Sequence, residues 1–459
     1  MSLRARLFAF WMKKRPKSLS ATKVIAITFA LIILLGACLL TLPAASRDGI
    51  SCGFRPALFT ATSATCVTGL VLYDTWSQWS GFGQVVIISL IQIGGLGFMS
   101  TATLFIFFLR KKIGLKQRLV MAQALSVSDM DGIVRLQRTV LVGSFTIEGI
   151  GAFVLFVRFL PEYGFRNALK WGVFHAISAF CNAGFDILGS ITPGASLMEF
   201  QSDPIVLLTL SGLVIVGGLG FLVWQEIAQK RSFRKFSVYT KLVLLTTASL
   251  LIGGTVMICA LEWNNPGTLG PMRVGDKLLN GFFQAVTLRT AGFVSVDQAL
   301  LTDAGKAFSM FLMIIGGSSG STAGGLKTVT FIVLVLFIFA RARGRSSVCV
   351  FKRTIPQGQV LDAMTIAFIM IFLALFGGVF ISATSPIGFT EALYEAVSAL
   401  ATVGLTAGAT GSLSIPAQIL IILYMYFGRV GVLTISMGFL VGDRAEERFR
   451  YAETNLLIG

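Results

Sequence analysis

Long apolar segments alternate with polar connections along the whole chain, and eight of them reach the length of a spanning helix. A helix needs roughly 20 apolar residues to cross the hydrocarbon of a bilayer. The eight segments form four pairs, and each pair encloses a shorter run of small, apolar and hydroxyl residues. Such a run covers about half the bilayer, which is tolerated only where the backbone lines a water-filled cavity or is buried in protein. We therefore predict an all-α membrane protein with eight transmembrane helices and four re-entrant half-helices.

The four short runs resemble one another, which indicates an internal repeat. They cover residues 57–70, 171–185, 281–293 and 393–405. Each contains a glycine followed by Leu or Phe, and these glycines are 115, 108 and 112 residues apart, at Gly69, Gly184, Gly292 and Gly404. This period exceeds that of solenoid repeats and indicates fourfold duplication of a module of about 110 residues. The predicted modules are 24–110, 139–227, 240–340 and 361–441, with terminal segments 1–23 and 442–459.

Composition and charge agree with a membrane protein. The chain is 55% hydrophobic and 13% charged, with a mean hydropathy of +0.81. Its net charge of +17 does not indicate nucleic-acid binding, because 27 of the 38 Lys and Arg lie in residues 1–23, 110–138, 228–241, 341–360 and 442–459. These segments alternate with the apolar ones as the positive-inside rule requires. We therefore place both termini in the cytoplasm, and the half-helices enter from outside.

The four glycine segments predict a cation filter. Half-helices in a pseudo-fourfold, potassium-channel-like arrangement aim their partly negative C-terminal ends at one axis. Glycine then allows a sharp turn that faces backbone carbonyls toward a dehydrated monovalent cation. The predicted filter residues are Cys66, Val67, Thr68, Gly69, Cys181, Asn182, Ala183, Gly184, Arg289, Thr290, Ala291, Gly292, Thr402, Val403 and Gly404. Asp74, Asp186 and Asp297 follow the glycines and make the outer mouth attractive to cations.

A simpler explanation of the glycines is close helix packing, as small residues provide in membranes. Four copies on segments too short to span favour the filter.

The second span of the third module is interrupted by a glycine- and serine-rich run. Each glycine in a helix interior costs about 1 kcal/mol relative to alanine, so we predict an unwound intramembrane loop. The run consists of Gly316, Gly317, Ser318, Ser319, Gly320, Ser321, Thr322, Ala323, Gly324 and Gly325.

Several ionisable residues fall inside apolar segments. Arg429 lies in the last span, where it acts either as a positive barrier beside the loop or as half of a buried ion pair. For Glu148, His175 and Glu395, we favour a hydrogen bond behind the filter over an ion relay. We also predict that Arg289 pairs with Glu395 from the neighbouring half-helix.

Three motifs carry a family resemblance: FHAISAFCNAGF, FFQAVTLRTAGF and IGGSSGSTAGGLK. On these motifs, the sequence resembles the membrane subunit of the Ktr/Trk/HKT superfamily of potassium transporters, and the resemblance covers essentially the whole chain. Within the superfamily, the bacterial Ktr type fits best. The resemblance implies potassium uptake, with potassium at the four filter glycines and sodium as a possible coupling ion. It also implies that the loop 316–325 is a gate beside Arg429. A serine in place of Gly69 is associated with sodium-selective relatives.

The resemblance implies partners as well. Ktr-type subunits form homodimers that sit on a cytosolic, nucleotide-binding regulatory ring. This chain has no dinucleotide-binding fingerprint after a strand, so nucleotide control requires a separate polypeptide. The basic cytoplasmic loops either dock that ring or attract lipid headgroups. No covalently bound cofactor is expected.

Two other functions are considered. One is a sodium-permeable, HKT-like cation transporter. The other is an intramembrane enzyme, but the chain has no metal cluster, no paired carboxylates in a shared segment and no His/acid pair near Ser318. We therefore predict a transporter and not an enzyme.

Overall fold

The computed structural model describes residues 21–97 and 133–431, and their regular structure is almost entirely helical. Most of the predicted N-terminal segment 1–23 and the whole tail 442–459 lie outside these residues. So do the last parts of the first and fourth predicted modules and most of the basic connection 110–138.

The described helices follow the predicted modules in order. The first module contains α1 (Ala21–Thr41), α2 (Phe54–Thr65), α3 (Thr75–Gln78) and α4 (Gly81–Leu96). The second contains α5 (Ile133–Phe180), α6 (Pro204–Leu219) and α7 (Phe221–Lys230). Gly164, with φ 74°, breaks α5 and separates its first part, the apolar span, from its last part, which is the predicted half-helix of this module. The third contains α8 (Val238–Glu262), α9 (Val274–Thr287), α10 (Asp303–Ile314) and α11 (Thr328–Ala342). The fourth contains α12 (Gln357–Thr384), α13 (Phe389–Leu400) and α14 (Ile415–Val430). A small antiparallel hairpin of β1 (Cys349–Val350) and β2 (Arg353–Thr354) precedes α12.

Length and apolar composition identify the first helix of each module as a membrane span. Within the described residues, four helical segments pass this test: Lys23–Thr41, Gln137–Phe180, Val238–Glu262 and Gln357–Thr384. The bent pair α6 and α7 adds a fifth if it counts as one span. The apolar helices α4, α11 and α14 have only 16, 15 and 16 residues. The structure is therefore that of a helical, multi-pass membrane protein, and the total of eight spans stays a prediction.

The helices pack in a cyclic order. Each half-helix packs against the first helix of its own module: α2 on α1, α9 on α8 and α13 on α12. Each also packs against the second helix of the preceding module: α9 on α6 and α13 on α10, while α5 contacts α4. The contact of α2 with α14 joins the first module to the last and closes the ring.

The second helices are shorter than predicted, because glycine ends them part-way. Gly220 has φ 93° and separates α6 from α7 at an angle of 94°, so the straight span expected across the second half of module two is not formed. Gly97 and Gly431 end α4 and α14 with φ values of 84° and 95°. Glycine adopts this conformation readily because it has no Cβ. The sequence carries a signal for two of these breaks, the repeated letters GGLGF at 94–98 and 217–221.

Candidate functional site

The four repeat glycines lie together, at the centre of the ring of helices. A Cβ added to any one of them would collide with the backbone carbonyl oxygen just before the glycine of the next module. It would lie 2.5 Å from Ala183 O at Gly69, 2.6 Å from Ala291 O at Gly184 and 2.6 Å from Val403 O at Gly292. At Gly404 it would meet Thr68 O, which returns the contact to the first module. The carbonyls of all four repeats therefore converge on one small region.

The backbone around each glycine has the same conformation. The glycines have positive φ, at 102°, 69°, 81° and 94° in chain order. The residues two positions earlier also have positive φ, at 57°, 60°, 66° and 53° for Val67, Asn182, Thr290 and Thr402. Non-glycine residues are uncommon there, and a β-branched one is a true outlier. Such strain persists only where the surrounding structure enforces it, and it concentrates at functional sites.

Buried hydroxyl groups in the half-helices hold the four glycine-containing segments in place. Ser63 Oγ accepts a hydrogen bond from the Gly69 amide at 3.0 Å, and Ser398 Oγ accepts one from the Gly404 amide at 3.1 Å. In the other two repeats the hydroxyl donates to the carbonyl after the glycine: Ser178 to Phe185 O at 2.7 Å and Thr287 to Phe293 O at 2.8 Å. Our sequence reasoning missed these residues, although a hydroxyl five or six positions before each glycine is visible in the repeats.

Three further glycines allow the second helices to approach the half-helix ends. A Cβ on any of them would meet the carbonyl oxygen of the last half-helix residue. The pairs are Gly94 with Thr65, Gly217 with Phe180 and Gly428 with Leu400. Our sequence reasoning missed these glycines as well, although Gly94 and Gly217 each begin the repeated letters GGLGF.

The three aspartates after the glycines are bound to loop backbone. Asp74 accepts from the Ser77 amide at 2.8 Å and from the Gly194 amide at 3.3 Å. Asp186 accepts from the Leu188 amide at 3.3 Å, and Asp297 accepts from the Ala299 amide at 2.9 Å. All three aspartates are residues of intermediate exposure. They add negative charge on the side of the glycines toward which the chain continues after each turn.

The glycine-rich run forms the unwound loop that its composition predicts, and it lies against the predicted filter segments. Its two ends are joined by the hydrogen bonds of the Gly316 amide to Leu326 O and of the Leu326 amide to Ile314 O, both 2.9 Å. Between them, the Thr322 hydroxyl donates to Asn182 Oδ1 at 2.9 Å. A Cβ on Gly324 would collide with the Thr402 hydroxyl. The loop thus contacts the strained residues of the second and fourth repeats.

The same loop is attached to the bend between α6 and α7. The Ser318 amide donates to Gly218 O at 3.0 Å, and the Phe221 amide donates to Gly320 O at 3.0 Å. From the start of α8, the Tyr239 hydroxyl donates to Ser319 O at 3.0 Å.

Arg429 lies between the loop and the end of α4. Its guanidinium donates to Thr322 O, to Gly94 O at 2.5 Å and to Gly95 O at 3.0 Å. Within residues 21–97 and 133–431 it forms no ion pair. Nearby, Lys327 Nζ donates to Ala323 O at 2.9 Å. Two basic side chains therefore lie at the loop, and within the described residues both donate hydrogen bonds to backbone carbonyls.

The predicted ion pair between Arg289 and Glu395 is wrong. Arg289 Nη2 donates to Gly316 O at 3.2 Å and to the Thr328 hydroxyl at 3.3 Å. Glu395 accepts from the hydroxyls of Thr406 and Thr410, which follow the glycine of its own repeat. The two side chains extend to opposite sides of the glycines, so they cannot meet.

His175 and Glu148, the two other ionisable residues singled out from the sequence, also form hydrogen bonds. His175 Nδ1 lies 2.7 Å from Trp171 O, and its Nε2 accepts from the Ile187 amide at 3.4 Å. Glu148 accepts from Gln92 Nε2, with 3.0 Å to each carboxylate oxygen.

Fold and site together define the class: a helical, multi-pass membrane protein whose internal repeats bring backbone carbonyls to one central point. The sequence matches the TrkH family model, described as "Cation transport protein", over residues 6–448. The chain belongs to this family. It is therefore a transport protein and not an enzyme.

Individual relatives agree over nearly the full length. The chain is 42% identical to the potassium/sodium uptake protein NtpJ of Enterococcus hirae, covering 98% of this chain and 99% of the relative. It is 41% identical to the Ktr system potassium uptake protein B of Bacillus subtilis, covering 93% and 94%. The structure matches the crystal structure of the potassium transporter TrkH from Vibrio parahaemolyticus with a TM-score of 0.73 at 15% identity, over 94% of this chain and 86% of that one. The resemblance to Ktr-type membrane subunits is thus confirmed.

Proposed function

We propose that the protein takes up potassium across the cytoplasmic membrane through a single central pore. The observation that carries this proposal is the convergence of four glycines and their preceding carbonyls in one closed ring. Rings of backbone carbonyls replace the hydration shell of a permeating monovalent cation. The printed functions of the relatives, potassium uptake and potassium/sodium uptake, support the same ion.

The filter comprises the four strands predicted from the sequence, with potassium bound at the level of Gly69, Gly184, Gly292 and Gly404. The C-terminal ends of α2, α5, α9 and α13 immediately precede these strands. Their partial negative charges favour a cation at this point.

The gate is the loop 316–325 together with Arg429. The position of the loop against Asn182 and Thr402 supports this role, because an ion that leaves the filter toward the cytoplasm must pass the loop. Arg429 adds a positive barrier, and its hydrogen bond to Thr322 O holds the loop in place.

The proposed assembly is that of Ktr-type membrane subunits. Eight spans place both termini in the cytoplasm, two copies form a homodimer, and a cytosolic nucleotide-binding ring of the Ktr type controls the gate. Uptake is sodium-dependent.

The test is cation flux into proteoliposomes that contain this chain. The intact protein should carry potassium faster than sodium, and deletion of the loop 316–325 should raise potassium flux. Arg429→Gln is the second gate variant, which keeps the loop length in case the deletion does not fold. Unchanged flux in both folded variants would rule out the gate, whereas the selectivity measurement tests the filter separately.

A sodium-permeable transporter is the second candidate, because the name of the Enterococcus relative includes sodium. Gly69→Ser separates the two. If the wild type selects potassium, this variant should shift selectivity toward sodium. Equal potassium and sodium flux in the wild type, unchanged in Gly69→Ser, would favour the second candidate.

A further inference from the structure

A cavity of about 250 Å³ lies where α11 is connected to α12 by the β hairpin. One wall is apolar and is formed by side chains of both helices. The other wall is polar and carries an arginine and several hydroxyl groups. The residues that define these two walls are Phe337, Leu361 and Met364 on the apolar side and Arg341, Ser347 and Thr354 on the polar side.

The polar wall belongs to a strongly basic connection. Residues 341–353 contain five cations: Arg341, Arg343, Arg345, Lys352 and Arg353. None of them forms an ion pair within the described part of the chain. The next acidic residue along the sequence is Asp362. Arg341 stacks on Phe337, with its guanidinium carbon 5.4 Å from the ring centroid, which positions the charge at the cavity.

The apolar wall continues into a surface that faces lipid. Ile338 and Phe339 on α11 are 64% and 57% exposed, and Phe368 on α12 is 72% exposed. In a membrane protein such large apolar residues are exposed to hydrocarbon. The cavity therefore lies at the boundary between the hydrocarbon and the basic connection, which is the level of the lipid headgroups.

We propose that this cavity binds one anionic phospholipid. The phosphate accepts charge-assisted hydrogen bonds from Arg341 and further ones from the hydroxyls of Ser347 and Thr354. The first part of an acyl chain packs against Leu361 and Met364. A zwitterionic lipid brings its own cation into the basic connection and therefore binds more weakly. Free phosphate has no acyl chain and leaves the apolar wall uncovered. Basic pockets between helices on the cytoplasmic side are suited to such headgroups.

The proposal rests on the membrane orientation described above, but it does not depend on which ion is transported. Lipid binding is therefore measured directly, by native mass spectrometry of the purified full-length protein with added phosphatidylglycerol or phosphatidylcholine. Phosphatidylglycerol should bind more tightly. Loss of one charge-assisted hydrogen bond should weaken its binding about tenfold in Arg341→Gln.

Lys352→Gln is the matched control for charge, because it removes one cation from the same basic connection, and Lys352 does not line the cavity. It should bind phosphatidylglycerol almost as well as the wild type. Equal losses in both variants would show diffuse attraction to the basic connection and would overturn the proposal.

A second pair of variants tests the acyl chain. Met364→Trp fills the cavity from its apolar wall and should weaken lipid binding, whereas Phe368→Trp, one turn further along α12 and outside the cavity, should not. Glycerol phosphate and inorganic phosphate serve as competitors. If either displaces the lipid at equal concentration, and Met364→Trp has no effect, the site is one for free phosphate and the proposal fails.

Discussion

At the scale of single residues, the site depends on positions that tolerate no side chain. The four filter glycines combine positive φ with a carbonyl oxygen of the next module at the place of a Cβ. Either feature alone disfavours alanine, and together they require the backbone to move. The non-glycine residues two positions earlier are strained as well, so the buried hydroxyls of the half-helices must hold the strands in place.

Gly404→Ala should reduce potassium flux through the proposed filter. The substitution places a Cβ against Thr68 O at φ 94°, and left-handed strain alone costs about 1–2 kcal/mol. We expect at least a tenfold loss of potassium flux in proteoliposomes. Gly411→Ala is the control, because no atom lies within 4 Å of its Cβ position and its φ is not positive. Wild-type flux in Gly404→Ala would mean that ions do not pass this point.

At the scale of elements, the interrupted second helices distinguish this fold from a simple bundle. The loop between α10 and α11 is attached to the α6–α7 bend by backbone hydrogen bonds and to α8 through Tyr239. The region from the end of α7 to the first turn of α8, residues 228–241, is basic and contains five Lys and Arg residues. A displacement of this region would therefore be transmitted to the loop through these hydrogen bonds.

Tyr239→Phe should raise potassium flux, because it removes the hydroxyl that binds Ser319 O while keeping the ring. One hydrogen bond contributes about 1 kcal/mol, so the closed loop should lose about fivefold in relative population. The matched control is Tyr163→Phe, which keeps the ring contact with Trp171, 4.7 Å between centroids, far along the chain from the loop. Identical flux in the Tyr239 variant and the wild type would exclude this hydrogen bond from gating.

At the scale of the whole molecule, contacts between modules decide the architecture. The ring closes through α14 and α2, and Tyr426 near the end of the chain donates to Ala26 O in α1 at 2.8 Å. Between the third and fourth modules, Lys306 on α10 forms an ion pair with Glu391 on α13 at 3.4 Å, and the lysine is almost fully buried.

Breaking that pair should destabilise the protein. Glu391→Gln leaves the Lys306 ammonium buried without its partner. Removing one partner of a fully buried pair costs about 3–5 kcal/mol, and because the Glu391 side chain is 33% exposed we expect a smaller loss, of about 1–3 kcal/mol, which lowers the thermal unfolding temperature. Glu162→Gln breaks the pair with Arg158 within one helix, where the carboxylate is 47% exposed, and should cost less than about 0.5 kcal/mol. Thermal unfolding of the detergent-solubilised protein measures both. Equal effects would show that the contact between modules adds nothing specific.

Hydropathy and repetition determined much of this protein from the sequence alone. Four first spans, four short half-helices and the unwound loop follow from local composition, because apolar length and glycine content act within one segment. The membership in a cation transport family followed from motifs that are also local. The four glycines that the structure brings together were identified by their recurrence at similar spacing alone.

The tertiary structure decided what lies between segments. The partners of Arg429 are the carbonyls of residues 107, 335 and 334 positions away, and Arg289 binds a loop carbonyl and the Thr328 hydroxyl instead of Glu395. Two of the left-handed residues before the glycines likewise contact the loop of another module: Asn182 accepts from Thr322, and Thr402 lies against Gly324. Local propensity contains no information about such neighbours, because the contacts exist only when the ring of modules has closed.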